Sequence, residues 1–526
     1  MKNFFGKLSA VLLVVCMVLP VFAGGKKEAA PAAQAVPEGP VTITMAYGAG
    51  ASEAGAPPAD WVVPGIVSEK LGITLELSML PSAQGDQDIA ISAAGAANDL
   101  PDVFMVSREV WLTLVNQGLI ASVDDMYAMM PQRTKTHYTE NSRTFTTING
   151  KSYGLADPGS IDKNEGLLIR KDWLDKLGLK VPTTTDELFA VMKAFTFNDP
   201  DGNGKADTYG YGAFLENTGA LDYGLGRRFD PIMGAFGVEG PWNLSAKNAG
   251  LNVRKPEFYD AMVFLKKMTD EKIIDPNWMS YKKDDFRAAW KQGKFGVMRE
   301  QNAAYAAEAN YKAFDVNFPS GEWIVVDPPK GPSGKSSVGV YSPSYRIYAV
   351  SQKAADAGKK AKIAALLEWI ATDGYYLIAY GQEGINYKLD ANGLPVATDT
   401  NLSFTKEGGI PYIQLKNLAL YNGEQEIQIR YPSYVTATSK KTMSAGTVLF
   451  EMQSKKWTPC MGGDTLPKPS ADLKRFLDQG LLEFLTGKRD LTKENWTAWV
   501  AEFDKQGGAK WEADGLVAAK EKGLLY

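Results

Sequence analysis

Residues 198–210 read NDPDGNGKADTYG and place oxygen donors at alternating positions. Asp199, Asp201, Asn203 and Asp207 stand at positions 1, 3, 5 and 9 of a calcium loop of the EF-hand type. Gly204 stands at position 6, where such a loop turns sharply, and Lys205 at position 7 offers its backbone carbonyl. Calcium takes six to eight oxygens at roughly 2.3–2.6 Å, and this spacing can bring them to one point. Position 12 is Gly210, where an EF-hand carries a bidentate Glu. A further oxygen has to come from elsewhere, with Thr208 or Glu216 as candidates. A competing reading needs no metal, because Asp, Asn and Gly form Asx turns in surface loops. The spacing alone leaves both readings open.

Aromatic residues outside helical patterns suggest a second chemistry. The chain has 12 Trp and 23 Tyr, and Trp61, Trp242, Trp278, Tyr341, Tyr345, Tyr387, Tyr431 and Tyr434 fall among Gly, Pro and Asn. Aromatic faces cover the apolar C–H surface of a pyranose, while amides, carboxylates and guanidinium groups direct hydrogen bonds to its hydroxyls. Open α/β sheets bind ligands at the carboxyl ends of their strands. The candidate ligand-binding set therefore starts with Arg299, Gln301 and Asn302, in the loop expected after a strand at 294–298. Trp242, Trp278, Tyr345 and Tyr387 follow, then Arg430 beside Tyr431, a guanidinium suited to a sugar carboxylate. Each aromatic also has an ordinary packing reading. Trp173, Trp369, Trp496 and Trp499 lie on helical patterns and are expected in the core.

Nucleophilic and zinc chemistry is short of parts. His137 is the one histidine, and the cysteines are Cys16 and Cys460. Ser–His–Asp, Cys–His and His-based zinc sites would all have to draw on a single imidazole. His137 lies in the polar stretch QRTKTHYTE and is expected at the surface. No catalytic residue is assigned and an enzyme is not expected. Paired carboxylates remain open, because their roughly 5–10 Å separation is a tertiary fact.

These residues need a scaffold, and the pattern supplies one. VTITMAY from Val41 alternates apolar and polar side chains and predicts a strand, as does ITLELSML at 73–80. PDVFMV at 101–106 predicts a third strand, and helical stretches separate all three. LLIR at 167–170 predicts a strand running into a helix over 171–177 that Gly178 ends. Thr184 and Glu187 have capping-box spacing ahead of Leu188, Val191, Met192 and Phe195, one helical face. Phe258, Met262, Leu265 and Met268 repeat that pattern, and YRIYAVS at 345–351 is strand-like. Ile363, Leu366, Leu367 and Ile370 mark an amphipathic helix, and the chain is helix-rich from Ala471 onward. Strand–helix–strand alternation predicts mostly parallel sheets covered by helices, and the length calls for more than one core.

The first residues set the expected compartment. Lys2 and Lys7 precede an apolar run from Leu8 to Leu19, and Val21 and Ala23 suit a signal peptidase. Residues 1–23 are read as a signal peptide cleaved after Ala23, and 24–40 as a flexible linker. The apolar run is shorter than the ~20 residues of a spanning helix. Cys16 lies inside that run behind Val15 and fits a lipobox poorly, so a soluble periplasmic or cell-surface protein is expected rather than a lipid-anchored one. Cleavage would leave Cys460 without an intrachain disulfide partner. A net charge of −4 with no basic block disfavours nucleic acid.

Five blocks in order carry a resemblance. They are LPDVF at 100–104, GKSYGLA at 150–156, IRKDWLDKLGLKVPTTTDEL at 169–188, GKFGVM at 293–298 and LLEWIATDGYYLIAYGQEGINYKLD at 366–390. Together they resemble extracellular solute-binding protein family 1, in its long lipoprotein-type branch that includes alginate-oligosaccharide-binding proteins. The resemblance implies an α/β fold of the type II periplasmic binding protein kind, two lobes with parallel or mixed sheets and a cleft between them. Lobe 1 is expected over 41–160 and lobe 2 over 161–341. Residues 342–526 are expected to return to lobe 1, with a helical carboxyl-terminal region crossing the hinge. The alginate-binding relatives carry a similar calcium loop, which implies a structural Ca2+ held by Asp199, Asp201, Asn203, Lys205, Asp207 and Thr208. The implied function is the substrate-binding component of an ABC importer, a monomer that captures an oligosaccharide and delivers it to a membrane permease. A glycoside hydrolase-like enzyme and a peptide-binding importer component remain the alternatives.

Overall fold

The computed structural model describes residues 40–48, 56–81, 84–158, 164–215, 225–421, 423–460, 463, 466–521 and 523–525. The expected signal peptide, its cleavage position and the linker up to residue 39 lie outside them, as does Glu216. The strands that organise the chain are β1 (Val41–Gly48), β2 (Ile73–Leu80), β3 (Val103–Val106), β4 (Leu155–Pro158), β5 (Glu165–Arg170), β6 (Tyr209–Gly212), β7 (Phe295–Gln301), β8 (Trp323–Val326), β9 (Val340–Tyr341), β10 (Ser344–Val350) and β11 (Thr458–Pro459).

The first sheet runs β2-β1-β3-β10-β4. β1 pairs in parallel with β2 and β3, and β10 returns antiparallel to β3 and β4. The parallel pairs need crossovers, which the helices Val63–Leu71 and Gln84–Ala96 provide. β2 alternates buried and open positions as an edge strand, whereas β3 is buried throughout. The second sheet runs β8-β5-β7-β6, with β7 antiparallel to β5 and parallel to β6. All six residues of β5 are buried, because this strand is covered on both faces. Leu167 and Ile169 enter one core and Leu168 the other, following the two-residue period of a strand.

Each sheet has its own core. One joins β1 to β4 with β10 and with residues up to Ala419. The other combines β5, β6, β7 and β8 residues with Leu466 to Leu524. The helices Ala471–Thr486, Lys493–Phe503 and Ala509–Glu521 therefore pack on the second sheet. Their contacts are aromatic: Phe484 lies 5.3 Å from Trp496, Phe258 6.0 Å from Trp496, and Trp511 5.6 Å from Trp242. A third cluster on the opposite face of the second sheet takes in Trp290, Phe314 and Trp323, closed by Ala445 and Met452. Local signals behave as the sequence predicts. Thr184 and Glu187 form a reciprocal capping box at the start of the helix Thr185–Phe197. Gly178 takes a positive φ of 66° just beyond the helix Lys171–Lys176.

His137 departs from expectation. It is 0 % exposed rather than at the surface, because the helix Pro131–His137 is pressed against residues 418–421. Its Nε2 lies 3.0 Å from the Ala419 carbonyl oxygen, its Nδ1 2.8 Å from the Thr136 hydroxyl, and its ring 5.0 Å from Tyr421. Burial, and then the nearby Arg133 charge, hold its pKa well below the ordinary 6.5. The folded imidazole stays neutral where the unfolded one takes a proton, so this contribution to stability is present above about pH 6.5 and is lost on acidification below it. With one histidine in the chain, its imidazole proton resonance can be followed through a pH titration. The expected midpoint lies well under 6.5, and a midpoint at or above 6.5 would contradict the burial.

Candidate functional site

The two bodies meet at the carboxyl ends of β1 and β7 and at the start of β5. On the second body, β5 opens with Glu165, which pairs in register with Gln301 at the end of β7. Glu165 is 2 % exposed, with Oε1 3.5 Å from Arg228 and Oε2 3.4 Å from Arg299. Both arginines are 1 % exposed. Arg228 also donates to the Arg299 carbonyl at 2.5 Å, and Arg299 reaches Asp230 at 2.6 Å. Glu300, beside them, accepts from Arg287 at 3.0 Å. Burial alone would raise the Glu165 pKa, but Arg228 and Arg299 outweigh it and hold the carboxyl below its ordinary value. Arg227 stands half-buried on the same turn, and its backbone carbonyl accepts from Arg299.

A line of contacts leads from here to the first body. The Arg299 guanidinium lies 5.7 Å from the Trp457 ring centre, and Trp457 sits edge-on to Tyr341 at 6.5 Å. Asn141, on the helix Glu140–Phe145, donates to the Tyr341 hydroxyl at 3.0 Å. On the first body, Tyr47 donates to Gln414 at 2.7 Å and Asn417 donates to the Gly48 carbonyl at 3.3 Å. Residues 414–419 are thereby fastened to the carboxyl end of β1. Ser444 donates to the Tyr431 carbonyl at 2.9 Å, and Asn302 donates to the Ala445 carbonyl at 2.9 Å. The end of β7 and the Arg430–Tyr431 pair meet across that turn.

The residues expected at a ligand site divide accordingly. Arg299, Gln301, Asn302, Arg430 and Tyr431 gather at this junction. Arg299 and Gln301 are the last part of β7 rather than a loop after it, and Asn302 opens the helix Asn302–Ala306. Arg299, Gln301 and Arg430 are engaged by Glu165, Arg287 and Glu426 respectively. Trp242 lies to one side, in the wall of a cavity of about 480 Å³ that also takes in Glu239, Asn243, Asn252, Lys255 and β11. Trp278 is 3 % exposed and edge-on to Phe229 at 5.2 Å, inside the second core. Tyr387 packs 6.1 Å from Tyr376 and 6.4 Å from Tyr380 in the first core. Tyr345 contributes backbone to β10, and its side chain lies outside the described residues. Glu165, Arg228, Asn141 and Trp457 were not expected at the junction. The adjacent arginines of GLGRRFD are a visible signal for one of them, and the other three give none.

The loop after the helix Thr185–Phe197 is separate. Asp199 has φ 45°, and its carboxylate accepts from the backbone amides of Gly202, Asn203 and Gly204 at 3.0, 3.0 and 3.1 Å. The Asn203 amide sits 2.8 Å from Asp201 and 3.2 Å from Asp207. Burial, and then the neighbouring Asp199 and Asp207, push the Asp201 pKa up. Among the described residues no three His, Cys, Asp or Glu side chains converge as a metal cluster. The convergence here is two carboxylates around an amide, and turning that amide over would present its oxygen to them. This oxygen-only set suits calcium chemistry. Thr208 does not share it: its hydroxyl donates to the Phe195 carbonyl at 2.9 Å, directed into the core at 3 % exposure.

Comparison with known proteins adds the following. The family model of bacterial extracellular solute-binding proteins matches residues 60–376. The polygalacturonan/rhamnogalacturonan-binding protein YtcQ of Bacillus subtilis (strain 168) is 26 % identical over 463 residues, covering 86 % of each chain. The fructooligosaccharide ABC transporter substrate-binding protein FusA of Streptococcus pneumoniae serotype 4 is 27 % identical over 223 residues, 38 % of this chain and 40 % of that one. An HMO-binding, ABC-transporter-associated solute-binding protein from Bifidobacterium longum infantis has the same fold. It superposes with a TM-score of 0.56 over 90 % of this chain and 97 % of its own, at 18 % identity.

Replacing Glu165 by Gln leaves two buried guanidinium groups short of their shared charge. The expected loss is about 3–5 kcal/mol of stability, the usual result of breaking a buried pair from one side. Denaturant unfolding followed by tryptophan fluorescence checks it, and a loss below about 1 kcal/mol, the range of a surface pair, would contradict the role given to Glu165.

Proposed function

The chain belongs to the bacterial extracellular solute-binding protein family and is of the ABC-importer type, and on that premise we propose that its solute is an oligosaccharide bound between the two bodies. The observation that carries this reading is the alignment with a polygalacturonan/rhamnogalacturonan-binding protein along 86 % of both chains. The junction is consistent with it. It gathers amide, guanidinium and aromatic side chains from both bodies at strand carboxyl ends, the combination a sugar ring needs.

The solute touches both walls, so it binds the closed arrangement better and shifts the bodies toward it. The protein works by capture and release: it hands the sugar unaltered to a membrane permease and acts as an exported monomer. Among the described residues no helix is long and apolar enough to cross a membrane. In this reading the leader is cleaved near Ala23 and the mature chain is soluble and periplasmic or at the cell surface. The loop at 199–207 takes a structural calcium, held by Asp199, Asp201, Asn203 and Asp207 with the Lys205 carbonyl. The ion would offset the crowding of its carboxylates.

A ligand that binds only the folded chain stabilises it by RT ln(1 + [L]/Kd), about 2.7 kcal/mol at a hundredfold excess over Kd. Thermal melting with pectic, fructan and glucan oligosaccharides beside short peptides should show a rise with at least one sugar and none with peptides. A rise with peptides alone would transfer the site to a peptide, and turnover of a stabilising sugar would make the chain an enzyme. For the loop, equilibrium dialysis should find stoichiometric calcium, and a chelator should lower the melting temperature. No bound metal together with unchanged melting would overturn the calcium site.

A further inference from the structure

The cavity beside Trp242 has a volume of about 480 Å³, a size that suits a small ligand. One wall is a hairpin, in which Trp242–Asn243 pairs antiparallel with Gly250–Leu251. The helix Ala509–Glu521 pins that hairpin from behind. Glu512 accepts from the Leu251 amide at 2.8 Å and pairs with Arg254. The Trp242 ring lies edge-on to Trp511 at 5.6 Å and directly against Gly515, where an added Cβ would collide with it. Glycine at 515 is what lets the helix hold the indole in place.

Three amides that line the cavity have orientations dictated by their partners. Asn243 accepts from the Ser245 backbone amide at 2.9 Å, and Asn248 accepts from the Lys255 ammonium at 3.0 Å. Both partners can only donate, so each amide turns its oxygen to them and its NH2 the other way. Asn252, 4 % exposed, donates to the Gly240 carbonyl at 2.7 Å, which turns its oxygen the other way. The wall therefore combines donors with an acceptor. A hydroxyl both donates and accepts, whereas an anion can only accept and an ammonium can only donate. Beside an indole, this set fits the hydroxyls and C–H surface of a sugar ring.

The opposite wall is the ribbon of β9 and β11. Val340 and Thr458 are partners in register, and both line the cavity. Their chain neighbours Tyr341 and Trp457 are the residues that meet Asn141 and Arg299 at the junction. One ribbon thus borders both spaces.

We propose that this cavity is a second carbohydrate subsite, which takes an uncharged sugar ring beside the junction. The ring belongs either to the far end of the solute held at the junction or to a separate small sugar, and chain length distinguishes the two. This inference rests on the carbohydrate reading and adds a site to it.

Cys460 lines the same cavity at 9 % exposure and reports on its occupancy. The full chain is treated with iodoacetamide, with and without fructan, cellodextrin or galacturonan trimers and hexamers. Mass spectrometry follows the Cys460 peptide, and calorimetry follows binding of the same sugars. At least one sugar that binds should slow alkylation of Cys460. Protection by a hexamer alone assigns the ring to the end of the solute. Protection by a trimer, with two sugars bound per chain, assigns it to a separate molecule. Asn248 is exposed, and Asn248→Trp fills the cavity without touching the junction. This variant should melt as the wild type does and bind the protecting sugar about tenfold or more weakly. Asn248→Ala, which only removes one amide, should show a smaller loss in the same direction. An unchanged alkylation rate with every bound sugar, or unchanged affinity in both variants, would overturn the second subsite and leave the carbohydrate reading standing. Binding of none of the sugars would count against both.

Discussion

Glu165 is buried at the one place where the second body begins, and it can stay ionised there only because Arg228 and Arg299 flank it. A lone carboxylate in that position would take up a proton rather than remain charged. The three side chains tie the start of β5 to the end of β7 and to the turn at 227–230. They fix the wall from which Arg299, Gln301 and Asn302 follow in sequence. Buried ion pairs are weak evidence for stability in themselves, since apolar packing of the same volume often does as well. Their value here is geometric, because charge pairs drawn from several elements fix the shape of the wall.

The rest of the junction follows from the ends of strands. β1 ends at Gly48, and its last residues hold Gln414 and Asn417, so residues 414–419 are positioned by the first sheet. β7 ends at Gln301, and Asn302 holds the 444–445 turn that in turn holds Tyr431. Among the described residues one line of contact between the bodies runs through aromatic edges and single hydrogen bonds, Asn141 to Tyr341 to Trp457 to Arg299, while the two sheet cores form separate clusters. Such an interface can open and close at small cost, unlike either of the two sheet cores.

Much of the scaffold is legible in the residues. The alternation of VTITMAY marks β1, the apolar runs in LLIR and KFGVM mark β5 and most of β7, and the Thr184–Glu187 spacing marks a capping box that forms as read. Phe258, Met262, Leu265 and Met268 share one buried face as their spacing requires. The site is less legible, for physical reasons. Trp278 and Tyr387 lie among loop-like residues, yet both pack in cores, because aromatic rings in irregular segments follow tertiary contacts rather than a period. His137 sits in a polar stretch, but one face of its short helix is buried against residues distant in sequence, which no local pattern encodes.

The central claim is that one sugar is gripped by two bodies that close on it. Small-angle X-ray scattering of the full chain, with and without an oligosaccharide at saturating concentration, tests that most directly. The radius of gyration should fall when the sugar is added, as the junction narrows around it. An unchanged scattering profile for a sugar that is bound tightly would contradict closure and place the ligand on one body alone.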